Sequence, residues 1–289
     1  MKKEISRLQG LLETGKQVVI AEISPPSLTG PQASLTEGRL RSIAKSYSGM
    51  VDALGISDNR DHACLAAAAF SYIALSEGIE PILHMVTRDR NRIALLSDCC
   101  GARALGIKNI LCTSGTHQAL TDFKNVKNVF DIDSIQLLEA ISAMDSGNAF
   151  LGAVASPFAD PMELQIMRLE KKIAAGAKYL ITQPIFDVER FSSWWKLVTE
   201  RGIHEKVAII AGIRILTGPN DAKEYAAKRP LPMVPDSLLK RVTDQKAGIK
   251  VADEIIGKLS SVKGLRGFEI CGGGNDEAAL AVLGKIKSK

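Results

Sequence analysis

The chain has 289 residues, 46% hydrophobic and 24% charged, with a formal net charge of +5. This balance is ordinary for a globular protein with a large core, and with 8 Phe, 4 Tyr, 2 Trp and no basic block it argues against a nucleic-acid platform. The five cysteines, Cys64, Cys99, Cys100, Cys112 and Cys271, are odd in number and lack the paired spacing of a zinc or cluster site, so reduced thiols and no metal are expected. The start, MKKEISRLQG, carries positive charge with no apolar stretch behind it, and no run approaches the roughly 18 apolar residues of a membrane helix. A cytoplasmic protein without a membrane span is therefore expected.

Along the chain, short β-rich apolar runs alternate with longer segments of helical periodicity, the pattern of parallel strands joined by helical crossovers. Eight runs qualify: Gln17–Ile23, Met50–Ile56, Pro81–Val86, Asn109–Thr113, Ala149–Val154, Tyr179–Thr182, Val207–Ile213 and Gly267–Cys271. Asn91 is a helix N-cap before a segment that Gly106 ends, and Asp133 opens a helix that Gly147 stops. Pro161 starts a helix to Ala175, Asp187 precedes one that ends near Gly202, and Asp236–Leu259 is the longest helix candidate. Thr217–Pro235, with Gly218-Pro219 and Arg229-Pro230, reads as an irregular loop with a short helix. Eight such units without a reversal point favour closure into a (β/α)8 TIM barrel, a single domain spanning 1–289, over an open doubly wound sheet.

A barrel of this kind carries its chemistry on the C-terminal strand ends and the loops after them. Those ends supply Glu22, Ser57-Asp58-Asn59, His84, Ser114-Gly115-Thr116-His117, Ala155-Ser156, Gln183, Arg214 and Gly272-Gly273-Gly274-Asn275. Glu22 follows Val18-Val19-Ile20-Ala21, where partial desolvation would raise a carboxyl pKa toward useful acid chemistry; the alternative is an ion pair to Arg88 or Arg214. His84 is either a ligand donor or a satisfied structural histidine. Gln183, kept extended by Pro184, offers a donor and an acceptor to a heterocycle edge. The triple glycine is a phosphate cradle or a turn, and the absence of GxGxxG and GxxxxGK[ST] removes support for a Rossmann or P-loop site.

In order on successive strand ends stand Ala21-Glu22-Ile23-Ser24-Pro25-Pro26, His84-Met85-Val86-Thr87-Arg88-Asp89-Arg90-Asn91, Leu105–Ser114 with Gly115, Lys171–Ala177, Ile181–Asp187 and Ile210–Ile213. Together they resemble the methylenetetrahydrofolate reductases, flavin-dependent barrels of one-carbon metabolism, over most of the chain. The resemblance implies hydride transfer from a bound flavin to 5,10-methylenetetrahydrofolate, giving 5-methyltetrahydrofolate, with Glu22 as the acid that protonates N10. It implies folate binding by Gln183 and flavin contacts from His84, Thr113, Ser114, Gly115, Ala155, Ser156 and Ile181, with Lys172 near the cofactor phosphates.

Three departures accompany the resemblance. Thr116 stands where the family usually carries an Asp that contacts the pterin, which implies weaker pterin anchoring and a flavin that is easier to reduce. Ser156 replaces a frequent aromatic residue, and Gly55-Ile56-Ser57 replaces Thr-Tyr-Gly, so FMN is an alternative to FAD. The reductant is NADH, NADPH or a protein donor. The Arg88-Asp89-Arg90-Asn91 pattern resembles the branch found in anaerobic one-carbon pathways, whose members often work with a small cysteine-rich iron–sulfur or zinc partner, and an oligomer is expected. Two other functions stay open: a folate- or flavin-binding subunit without autonomous activity, and a pterin-dependent methyltransferase barrel.

Overall fold

Aliphatic and β-branched runs form the strands because a strand buried on both faces of a parallel sheet needs no polar side. In the computed structural model, which describes residues 5–27, 36–59, 63–122, 125–145, 148–228 and 234–288, eight of them close into one parallel barrel in sequence order. They are β1 (Val18–Ile23), β2 (Ala53–Ile56), β3 (Pro81–Val86), β4 (Asn109–Thr113), β5 (Phe150–Ala155), β6 (Tyr179–Thr182), β7 (Ala208–Arg214) and β8 (Leu265–Cys271). The first and last strands pair from Val18 with Gly267 to Glu22 with Cys271, which joins the two sheet edges.

The helices pack outside this sheet. They are α1 (Arg7–Glu13), α2 (Glu37–Ser46), α3 (Ala67–Ser76), α4 (Arg92–Ala104), α5 (Ser134–Asp145), α6 (Met162–Ala174), α7 (Val188–Glu200), α8 (Ile203–Lys206), α9 (Pro219–Lys228), α10 (Asp236–Leu239), α11 (Gln245–Leu259) and α12 (Asp276–Lys287). Their starts follow the expected caps. The Asn91 side chain accepts from Ala94 N at 3.0 Å, Asp187 from Arg190 N at 3.0 Å, and Asp133 from Ile135 N and Gln136 N at 2.8 Å. Gly147, expected to stop α5, lies outside the described residues.

One expectation is corrected. The single helix over Asp236–Leu259 is two helices, because Asp244 takes an extended backbone and its carboxylate accepts from Ala247 N at 2.8 Å, starting a new N-terminus mid-segment. The short helix expected within Thr217–Pro235 is the ten-residue α9, while residues 229–233 lie outside the described residues. A further helix, α1, went unanticipated. It is capped by Ser6, and the Glu80 carboxylate accepts from Arg7 N at 2.8 Å and Leu8 N at 3.2 Å at its first turn.

Residue parity separates two cores. Val18, Ile20, Ala53, Ile82, Leu111, Phe150, Tyr179, Ile181 and Ile210 point into the barrel and pack on Leu8 and Leu12 of α1, which cover its floor. Their strand neighbours, such as Ala21, Ile23, Leu54 and Ile56, face the helical layer. Phe150 and Tyr179 stack at 5.1 Å in the middle of the barrel, both nearly inaccessible. Gly152 admits that stack, because a Cβ there would stand well inside contact distance of the Tyr179 ring. Overpacking of a stiff interior typically costs about 1–3 kcal/mol. Gly152→Ala is therefore expected to lower the unfolding free energy by that amount, read as a reduced denaturant midpoint.

Candidate functional site

With α1 under the floor, the barrel interior meets a cavity of about 520 Å³ at the C-terminal strand ends, within the range of small-molecule sites. Glu22 lines it because it shares inward parity with Val18 and Ile20, and only 8% of its surface is exposed. Its register partners are Gly55 on β2 and Cys271 on β8. The two arginines weighed as its partners each hold another carboxylate. Arg88 binds Asp89 at 2.7 Å and donates to Thr116 O at 2.8 Å and Asn59 O at 2.5 Å, while Arg214 binds Asp221 at 2.7 Å.

Gln183 reaches the same cavity from the end of β6. Its N–H donates to Ala155 O at 2.8 Å, and beyond Pro184 the N–H of Ile185 donates to Gly212 O at 2.9 Å, so the backbone on both sides is tied to neighbouring strands. The Gln183 Oε1 atom is buried and has no hydrogen-bond partner among the described residues. A buried amide oxygen in that state costs stability unless a ligand donor meets it.

After β4, Thr113, Ser114, Gly115 and Thr116 form one wall. Gly115 has φ +81, and a Cβ there would stand 2.6 Å from Val86 Cγ1, so this turn admits glycine alone without rearrangement. Arg88 holds the carbonyl of Thr116, whose side chain lines the cavity. Ser156, Ile181 and Lys172 also line it. Ala155 does not: it faces the helical core at 0% exposure, and by strand alternation Val154 takes the lining position.

Lys172 projects from α6 and donates from Nζ to Val154 O at 2.5 Å. Burial, with the nearby Arg168 charge, brings its ammonium down to about 8. Gln165 and Arg168 stand beside it on the same helix face, at the spacing that aligns side chains one and two turns apart, and this amide-and-cation wall suits an anionic group.

Several lining residues escaped the reading of the sequence. Gln165 and Arg168 look like surface residues of an amphipathic helix, and only the i, i+3, i+7 spacing with Lys172 could have marked them. Tyr225 sits on α9, in the stretch expected to be an irregular loop with a short helix. Its ring lies 4.9 Å from the Arg214 guanidinium carbon and meets Phe186 edge-on at 5.6 Å. Glu269, on β8, is 7% exposed and lines the cavity beside His84, which is 6% exposed. A charged residue within Phe268-Glu269-Ile270 at inward parity was its available signal. Asp58 at the rim accepts from Val86 N at 3.1 Å and pairs with Arg90, a bracing role; burial pushes its carboxyl up while Arg90 opposes that shift.

A closed parallel barrel with acidic, basic and amide side chains around one cavity at its C-terminal mouth has the architecture of a (β/α)8-barrel enzyme. The chain belongs to the methylenetetrahydrofolate reductase family, whose model matches residues 7–287. A probable methylenetetrahydrofolate reductase (NADPH) from Caenorhabditis elegans is 24% identical over 278 residues, which are 92% of this chain and 39% of that protein. The chain thus spans well under half the length of this curated relative. A barrel from Clostridium thermocellum, described as an uncharacterized protein that binds two copies of 5-methyl-5,6,7,8-tetrahydrofolic acid, superposes with a TM-score of 0.72 at 18% identity, over 97% of this chain and 99% of the other. At that identity the likeness establishes the fold.

The Lys172 shift has a consequence for stability. Its folded value, about 8, lies below its ordinary 10.5, so between these the unfolded chain binds more protons and stability rises with pH. The charged form is disfavoured in the folded protein, and the whole of that destabilisation is present below about pH 8. Lys172→Met is expected to flatten the rise in unfolding free energy between about pH 8 and 10.5, measured by denaturant titration of both proteins across that window.

Proposed function

We propose that this chain reduces 5,10-methylenetetrahydrofolate to 5-methyltetrahydrofolate with a flavin, FAD or FMN, and that Glu22 is the general acid. The observation that carries this reading is the convergence of buried Glu22 and the buried, unpartnered Oε1 of Gln183 on one cavity. One group can deliver a proton and the other can accept from a heterocycle N–H. Family membership supplies the chemistry in which both are needed. The Clostridium thermocellum barrel, which shares this fold, binds the product proposed here.

The residues fit a flavin. Lys172 and Arg168 provide cations for a phosphate, the Gly115 turn leaves a side-chain-free backbone against the cavity, and Ser114 and Ser156 add hydroxyls beside it. When bound, a flavin would supply the hydride, with NADH, NADPH or a protein donor as its source of electrons. Glu22 gives its proton to N10 of the folate, the C–N10 bond breaks, and the resulting N5 iminium carbon accepts the hydride. Gln183 holds the pterin edge, and the Tyr225 ring offers an apolar face for the flat part of the substrate. Thr116 lines the cavity as a neutral hydroxyl and brings no charge of its own to the pterin.

Glu22→Gln tests this reading, since the amide is nearly isosteric and carries no transferable acid proton. With flavin reconstituted and reduced beforehand, the variant is expected to reduce methylenetetrahydrofolate about 100- to 10,000-fold more slowly in a single turnover while still accepting electrons from its donor. A near wild-type rate would remove Glu22 from the acid role. Gln183→Ala is expected to weaken folate binding more than flavin binding, by about 0.5–1.5 kcal/mol for each hydrogen bond lost. Equilibrium titration with each ligand checks it, and unchanged folate affinity would place Gln183 outside the substrate site.

A further inference from the structure

Glu269 is unused by the chemistry above, although it lies buried at the base of the same cavity. On β8 it is in register with Ile20, one inward position below Glu22. Its carboxylate nevertheless climbs to the level of Glu22. Gly55, the register partner of Glu22 on β2, has no side chain, and the point where its Cβ would stand is 3.3 Å from Glu269 Oε1 and 3.0 Å from His84 Nε2. β1 lies between β8 and β2, so a side chain rooted on β8 that reaches Gly55 passes across the inner face of the strand that carries Glu22. The glycine gap thus brings together a second carboxylate and an imidazole beside the proposed acid.

We propose that Glu269 is a positioning residue for proton transfer: its carboxylate holds a proton on Glu22 at neutral pH so that the folate N10 meets a loaded acid. The proposal rests on the reading of Glu22 as the acid. Two carboxyl groups sharing a desolvated site do not both ionise readily, so one retains a proton well above its ordinary range. The imidazole completes a cluster that titrates as a unit. The other groups facing Glu269 leave this logic intact. Tyr179 on β6 feels the Glu269 charge, and its phenol is pushed up, chiefly by burial, so it stays neutral. Leu111 on β4 and Val154 on β5 carry no charge. Asp58 at the rim is paired with Arg90, and Arg214 on β7 with Asp221, its Nη1 also 3.8 Å from Cys271 Sγ. In each turnover the Glu22 proton passes to folate N10, and solvent returns one proton to the cluster. No electron moves in this step.

The test is Glu269→Gln, which keeps size and polarity and removes the charge. Glu22 then loses a like-charged neighbour and His84 an opposite-charged one, and both changes lower the proton affinity of the cluster. In single-turnover reduction of methylenetetrahydrofolate by the pre-reduced holoenzyme, the alkaline fall-off in rate is expected to move to lower pH by about one unit or more, a tenfold change in proton affinity. In the flavin-free protein, the infrared band of a protonated carboxyl present in the wild type at neutral pH is expected to fade in Glu269→Gln and to be absent in Glu22→Gln. A fall-off that stays in place or moves up, or a band that persists in Glu269→Gln, overturns the proposal. If Glu22→Gln itself reduces folate at the wild-type rate, the assignment of the acid fails first, and the two failures are distinguishable. Circular dichroism of each variant confirms that the barrel is intact.

Discussion

Hydrogen bonding between β1 and β8, from Val18 with Gly267 to Glu22 with Cys271, is the constraint on which the mouth of the barrel depends. A slip of one residue in a strand exchanges its inner and outer faces. In this register Val18, Ile20 and Glu22 point inward while Ala21 and Ile23 meet the helices. The same pairing sets Glu269 one step below Glu22, and the β1–β2 register sets Gly55 beside it. The acidic cluster at the base of the cavity is thus a product of barrel closure, with its members drawn from opposite ends of the chain.

The interior beneath supplies the dielectric conditions for that cluster. Leu8 and Leu12 of α1 cover the floor, and the Phe150–Tyr179 stack fills the middle at the expense of any side chain on residue 152. Groups above this layer meet solvent from the mouth side, so partial desolvation of Glu22, His84 and Glu269 follows from packing well below them. Glycine marks three close approaches for three separate reasons. Gly152 admits an aromatic ring, Gly55 admits two polar side-chain heads, and Gly115 turns the backbone through a left-handed conformation against Val86.

The two sides of the cavity differ in chemistry. The α6 wall brings Gln165, Arg168 and Lys172 to one side and suits an anionic cofactor, with burial lowering the Lys172 ammonium enough for protonation to respond to mildly alkaline pH. The α9 side brings Tyr225, steadied by the Arg214 guanidinium, and Gln183 with its buried acceptor. On the β4 wall, Arg88 holds the turn by donating to Thr116 O and Asn59 O, which fixes the backbone that presents the neutral Thr116 side chain.

Much of this was legible in one dimension. Eight β-rich runs with capped helices between them determine a (β/α)8 pattern, because strand and helix periodicities and the caps at Asn91, Asp133 and Asp187 are local properties. Position at strand ends likewise marked Glu22, Gln183, His84 and the Thr113–Thr116 turn. Tertiary structure decided the rest. Asp244 divides a segment whose apolar period looked continuous, since a cap competes with helix propagation only where the chain is held extended. Ala155 faces the core although it ends a strand, because lining depends on inward parity as well as on position. Glu269 could be read as a charge in an apolar strand, but its place beside Gly55 and His84 required the closed barrel. Sequence patterns determine which elements form; which side chains meet is set by register and closure between strands far apart in the chain, and no local signal encodes those distances.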